Sequence, residues 1–423
     1  MEHSRSGLSH ALLYMSTSKL VHQVLCLLVA VLPFLPIWKR MTSRGGISWS
    51  GALVEVALFG LLGVASILSL TRTKFWLARR VLPFLAVTFI IGLIQTCRSS
   101  VGLIGAADVF RLYLEPLVVF LAVHSLPTDH YRIQVAKVIA RVGLFLAVIG
   151  MIQLVAPEPI RQFHIVTGAD PLVLSTKSNF MAGSQYNRVI SFLDDPNIAS
   201  QVFIAGLTAQ LYLFLRRFET KWLVSVVISS SAVIATGSRS GLLSFAAALG
   251  CLLLYVWLSS NKRLKARALW AGVSGLLLLT LPLSVGNIRA IALDRFGRFG
   301  VSALAADGRL ENWQQVMREV SGSIWTVLFG TGLTPGDLVT STIVENAYLS
   351  ALRDFGVIWL IVLCAAFLIA FLPIIRKSSF FGIVVLAPFL VANIFGDYTK
   401  IPLVSCWYAV MLGLSHKSGV SEA

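Results

Sequence analysis

The sequence predicts an all-α fold: a polytopic helical membrane protein of about twelve transmembrane helices. Three observations carry that prediction. Of 423 residues, 57% are hydrophobic and only 13% are charged, against about 25% charged in an average soluble domain. The mean hydropathy is +0.81, which suits a chain solvated mostly by lipid. Apolar runs long enough for a helix to cross the hydrocarbon core recur along the chain. The two-residue alternation of a membrane barrel is absent, so helices are the spanning element that keeps every backbone amide bonded in lipid.

The first five spans are expected near 20–38, 48–70, 81–97, 109–125 and 136–156. Four more are expected near 197–215, 222–236, 240–258 and 268–285, and three near 355–374, 380–395 and 401–414. This divides the chain into a nine-span bundle (1–285) with an outer loop near 157–196, a large outer loop (286–354), and a C-terminal group of spans with a tail (355–423). Leu20–Trp38 is long and no small-residue cleavage site follows it, so it is expected to be a span and not a cleaved signal. Five scattered cysteines and seven scattered histidines have neither metal nor disulfide spacing, so no metal and no cofactor are expected.

Positive charge sets the orientation. Arg72, Lys74, Arg79 and Arg80 share one loop, Arg216, Arg217 and Lys221 a second, and Lys262, Arg263, Lys265 and Arg267 a third; Arg376 and Lys377 mark a fourth. All four have the parity of the two termini, which places both termini inside, while Lys39, Arg40 and Arg44 dissent. The net charge of +16 is then mainly a topology signal with some attraction to anionic lipid. Its division among short loops argues against nucleic acid as a partner.

The outer segments carry the candidate chemistry. Every cation between Gly286 and Val344 is arginine: Arg289, Arg295, Arg298, Arg309 and Arg318. Arginine grips phosphate oxygens in pairs, which lysine cannot do. Five acids balance these arginines, so ordinary surface ion pairing is the competing reading. In "GRLENWQQVMREV" the spacing of Leu310, Trp313, Met317 and Val320 predicts an amphipathic helix, on the membrane or against the bundle. Arg239, in "ATGSRSGLLSF", lies between two apolar runs; it either snorkels to the interface while Gly237 and Gly241 make the turn, or binds an anion. In "YNRVISFLDDPNIASQ", Asp195 or Asn197 suits a helix cap with Pro196 at the start, and capping leaves Arg188 unexplained. Asp108, Arg111 and Glu115 are spaced to pair along one helix face and are expected to be mainly structural.

In "STIVENAYLSALRDFGVIW", Thr342 and Glu345 spell a capping box, which leaves Asn346, Tyr348 and Arg353 without a capping role. Glu345, Tyr348 and Leu352 share one side of a helix, which turns a carboxylate and a phenol toward an outer mouth.

The stretches "RVISFLDDPNIAS", "TGSRSGLLSF", "GRLENW…FGTG" and "ENAYLSALRDFGVIW", in this order and placed relative to the spans, resemble the O-antigen ligase and Wzy-type polysaccharide polymerase family. The resemblance implies a bacterial inner-membrane enzyme with a periplasmic loop. It would act on glycans carried on undecaprenyl pyrophosphate as donor and acceptor, with a chain-length regulator as a possible protein partner. By resemblance Arg188 and Arg239 hold the pyrophosphate, with Arg309, Asn197, Asn346 and Tyr348 as further substrate contacts. Lipid A ligases of the family carry His immediately before the late Asn, where this chain has Glu345. That departure favours repeat-unit polymerisation over ligation, with Arg239 and Glu345 as the expected catalytic pair. A lipid-linked glycan flippase is the expectation from another class.

Overall fold

A computed structural model of the chain describes residues 2–44, 50–73, 75–99, 102–168, 188–193, 195–217, 219–258, 309–333, 346–375 and 381–415, with a few single positions between 262 and 289. Among the described residues every regular element is helical and none is a strand. Five helical stretches among the described residues are long and apolar enough to cross a membrane: Thr17–Thr42, Leu53–Thr71, Asp129–Val155, Pro196–Arg217 and Ala347–Ala366. Shorter apolar helices stand beside them at Leu82–Arg98, Thr220–Ala235, Arg239–Leu254, Gly382–Ile394 and Pro402–Leu414.

In chain order the first helices are α1 (Glu2–Val31), α2 (Leu35–Arg44), α3 (Ser50–Thr73), α4 (Phe75–Arg98), α5 (Leu103–Ser125), α6 (Asp129–Val155) and the short α7 (Pro157–Val166). A 3-10 turn at Leu32–Phe34 joins α1 to α2, where Pro33 occupies the first turn. Then come α8 (Pro196–Arg217), α9 (Thr220–Ala235) and α10 (Arg239–Leu258). The C-terminal part holds α11 (Arg309–Ser321), α12 (Ile324–Phe329), α13 (Ala347–Ile375), α14 (Phe381–Ile394) and α15 (Pro402–Ser415), with a 3-10 turn at Tyr398–Lys400 between the last two. Helices occupy the predicted segments except 268–285, which falls almost wholly outside the described residues.

The central element is α8. Every residue from Ala199 to Leu215 is buried, and the helix packs against α6, α9, α10, α14 and α15. Against α6 the approach is closest at a pair of glycines: a Cβ on Gly143 would lie 2.8 Å from the Gly206 Cα. Lacking water, the polar side chains of α8 bond inside the bundle. Gln210 donates to the Ala140 carbonyl at 3.1 Å. Gln201 donates to the Ser244 hydroxyl at 3.4 Å and accepts from Tyr408 at 3.3 Å.

The outer loop region departs from expectation in two places. Residues 347–354, expected in that loop, belong to the first part of α13, and the helix is broken at Gly356 (φ 73°, ψ 171°). Into that break fits the "FGTG" stretch. Thr331 donates to the Arg353 carbonyl at 2.7 Å, and Arg98 at the end of α4 donates to the Phe329 and Gly330 carbonyls at 2.6 and 2.9 Å. Gly330 (φ 72°) and Gly356 touch backbone to backbone: a Cβ on Gly356 would lie 2.2 Å from the Gly330 nitrogen. The amphipathic helix forms as α11, with its packing face rotated slightly from the one expected. Val320, in the expected stripe, is buried together with Val316 against Val327, Leu349 and Leu352, while Met317 is 46% exposed. The helix turns its valine pair to α13, and of the expected stripe Met317 is the residue left off the packing face.

Gly356→Ala is expected to lower the melting temperature of the detergent-solubilised protein. The left-handed backbone alone costs an alanine about 1–2 kcal/mol, and the Gly330 contact adds to it. An unchanged melting temperature would refute the docking of residues 329–332 into the α13 break.

Candidate anion site where two helix starts meet

The two arginine-bearing stretches come together at one end of the bundle. Asp195 caps α8: its carboxylate accepts from the Asn197 amide at 2.6 Å. Pro196 takes the first helical position, where its missing N–H costs nothing. Because Asp195 supplies the cap, the Asn197 side chain is left to reach across to α10, and its carbonyl accepts from the Ser238 hydroxyl at 2.8 Å.

Ser238 in turn caps α10, its oxygen accepting from the Gly241 amide at 3.1 Å. Arg239 is therefore the first residue of α10. The turn before it is made by Gly237 (φ 58°) alone. Gly241 lies inside the helix, where a Cβ would come within 2.5 Å of the Ser200 side chain. Its absent side chain is what lets the starts of α8 and α10 touch.

Arg188 arrives from the other direction on an extended stretch. Its Nε donates to the Thr236 carbonyl at 2.9 Å, and the Val189 amide donates to Ala235 at 3.2 Å. That stretch is clamped by residues the sequence did not single out. The Gln153 side chain accepts from the Ile190 and Ser191 amides, both at 3.0 Å, and His164 meets the Ser191 carbonyl at 2.8 Å. Both are buried polar side chains; only the fold shows what they hold. Arg188, Asn197 and Arg239 thus share one site. The start of α10 presents partial positive charge there, that of α8 is offset by its Asp195 cap, and two guanidinium-bearing residues flank them. The combination is chemically suited to an anion.

The same network continues to the 3-10 turn between α14 and α15. Ser240 lies 3.0 Å from Ser238 and 3.1 Å from the Tyr398 hydroxyl. The Tyr398 amide donates to the Asn393 side chain at 3.1 Å. One residue on, the Ile394 carbonyl accepts from the Asn346 amide group at 3.0 Å. Asn346 also caps α13, its carbonyl oxygen accepting from the Tyr348 and Leu349 amides, both at 3.0 Å. Asn346 was expected to have no capping role; it is the cap, because its side chain precedes the first helical residue. Thr342 and Glu345 lie outside the described residues. Tyr348, 48% exposed, donates its hydroxyl to the Leu390 carbonyl at 3.0 Å, so the phenol lies along α14 and does not stand free in a mouth. Arg309 opens α11, on the α13 side of the molecule.

The charges within α5 form a separate cluster. Arg111 meets Glu55 at 2.8 Å, Asp108 at 2.9 Å and Glu115 at 3.2 Å, and Lys39 meets Glu55 on its other side. The expected pairing along one helix face is present, and α2 and α3 add a partner each. Lys39, one of the three dissenting cations in the orientation argument, is held by Glu55. At the opposite end of the bundle, Glu219 pairs with Lys221 at 2.6 Å, and the hydrogen bond from that ammonium holds its carboxyl below the usual range.

Asn346→Ala is expected to destabilise the protein by about 1–2 kcal/mol, through loss of the cap and of the bond to Ile394. Asn346→Ser, which can still cap, should recover part of that loss in a thermal melt. Equal melting temperatures for wild type and the alanine variant would show that α13 starts elsewhere.

Comparison with protein-family models and with curated proteins finds no match for this chain.

Proposed function

We propose that the chain is a lipid-linked glycan polymerase. It joins oligosaccharide repeat units carried on undecaprenyl pyrophosphate, at the periplasmic face of a bacterial inner membrane, without a metal. The observation that carries this reading is the meeting of Arg188 and Arg239 at the touching starts of α8 and α10. A lipid pyrophosphate is already a good leaving group, so two contributions are left to the protein. It stabilises the charge that grows on the diphosphate as the anomeric C–O bond breaks, and it orients the attacking sugar hydroxyl. Preorganised donors of this kind each contribute on the order of a hundredfold or more.

In this reading Arg188, Arg239 and Asn197 form the donor side. Asn346, Tyr348 and Arg309 lie toward the acceptor side, and Glu345 accepts the hydroxyl proton. Transfer is a direct displacement: the acceptor oxygen bonds the anomeric carbon, the proton passes to the carboxylate, and undecaprenyl pyrophosphate leaves. About twelve spans, cytoplasmic termini and a large periplasmic loop complete the proposal. A separate chain-length regulator is the protein partner it allows.

One observation favours a second reading. The break of α13 at Gly356 is the kind of discontinuity on which transporters build their sites, which would suit a flippase for the same lipid. Against it, the break follows shortly after the start of α13 and is filled by residues 329–332. Transporter breaks lie near the midplane and line a cavity.

The deciding experiment is extension of a defined lipid-linked repeat unit by the purified protein. Elongated product supports the polymerase. Transfer to a different acceptor without elongation supports a ligase, and movement of the labelled lipid across vesicles without elongation supports the flippase. In the elongation assay Arg239→Lys is expected to fold normally and lose about a hundredfold in rate; a wild-type rate would remove Arg239 from the site. Glu345→Gln at normal protein level should lose most activity, and full activity would exclude Glu345 as the base. Accessibility labelling of single cysteines placed at 188 and 239 is expected to report the outer side. Labelling from the cytoplasm would overturn the reading.

A further inference from the structure

The 3-10 turn Tyr398–Lys400 is held from two sides. On one side the Tyr398 hydroxyl meets Ser240, next to Arg239. On the other, the Lys400 ammonium donates to Asp354 at 2.7 Å and to the Ser350 hydroxyl at 2.6 Å, both on the first half of α13. It also stands 5.4 Å from the centre of the Tyr113 ring, whose hydroxyl donates to the same Asp354 oxygen at 3.0 Å. Asp397 lies 3.5 Å from the ammonium, and Arg353 lies 3.4 Å from the second Asp354 oxygen. Asp354 is fully buried and the Lys400 side chain is 13% exposed.

A buried ion pair is a weak source of stability; its better attested use is to select one arrangement among several. An arrangement is at stake here. Because Gly356 breaks α13, the orientation of residues 347–355 is not dictated by the rest of the helix. It depends on what they touch. Among those contacts Lys400 is the charged one that comes from the turn bonded to the arginine-bearing end.

We infer that Lys400 is a positioning residue. It fixes residues 347–355 of α13, with Asn346 before them, at a set distance from the starts of α8 and α10. The consequence for catalysis rests on the polymerase reading, in which donor and acceptor sides must be held in register. The geometry does not rest on it. Lys400 touches no substrate in this assignment; it acts through α13.

The test separates the two. Spin labels are placed at exposed Met317, on the helix packed against α13, and at exposed Leu254 on α10. The background carries serine at Cys26, Cys97, Cys251 and Cys364. The label-to-label distance is measured in wild type, Lys400→Met, Lys400→Arg and the double variant Asp354→Asn/Lys400→Met. The double variant removes both charges of the shortest contact; because Arg353 and Asp397 each lose a partner with it, its fold is checked by a thermal melt before the distance is read. The expected result is one narrow distance in wild type and Lys400→Arg, and a broadened or shifted distance in both methionine variants. In the elongation assay the methionine variants should keep the wild-type KM for donor while kcat falls by about a hundredfold.

A merely structural pair predicts otherwise: the double variant, stable again, would recover wild-type kcat. That recovery, or an unchanged distance in Lys400→Met, overturns the inference. If wild type itself fails to elongate any lipid-linked glycan, the polymerase reading falls while the distance measurement still decides the positioning role.

Discussion

A helix surrounded on every side by other helices must find each of its hydrogen bonds inside the protein, and α8 is under that constraint along almost its whole length. Unsatisfied polar groups in such a place are costly. Its glutamines therefore act as register pins: Gln210 fixes α8 against α6, and Gln201 fixes it against α10 and α15. Gly143 and Gly206 allow the approach that makes the first of these bonds possible. With α8 held in register, its first residue is delivered to a set place. There Asn197 meets Ser238 and the start of α10 is fixed in turn.

The arginine-bearing end of the bundle follows from that placement. Three helix starts (α8, α10 and α13) are joined by one chain of hydrogen bonds that passes through the turn between α14 and α15. At Ser238 and at Asn346, a residue that caps one helix also bonds a neighbouring element. This double use makes the end rigid where the arginines stand. The first half of α13 is different in kind: it is severed from its own helix at Gly356 and oriented by what it touches.

The charges away from this end show how the bundle tolerates ions. Arg111 is shared among three carboxylates, and Lys39 takes one of them. Such groups inside a membrane protein face its interior and pair with one another.

The sequence by itself determined the helical, membrane-suited class, the approximate positions of the described helices, and which arginines deserved suspicion. Apolar length and charge depletion are local properties that a bilayer reads directly. Caps were legible in kind but not in assignment: Asp195 and Asn197 were interchangeable candidates, and only packing showed that one caps while the other reaches α10. Tertiary structure alone decided that Arg188 and Arg239, separated by the whole of α8 and α9, stand at one place. It alone revealed Gln153 and His164 as the groups that clamp the Arg188 stretch, and Asp354 with Lys400 as the ion pair between α13 and the 3-10 turn. The reason is physical. A buried polar residue looks the same in a sequence wherever it lies, and its meaning is its partner, which only the folded bundle supplies.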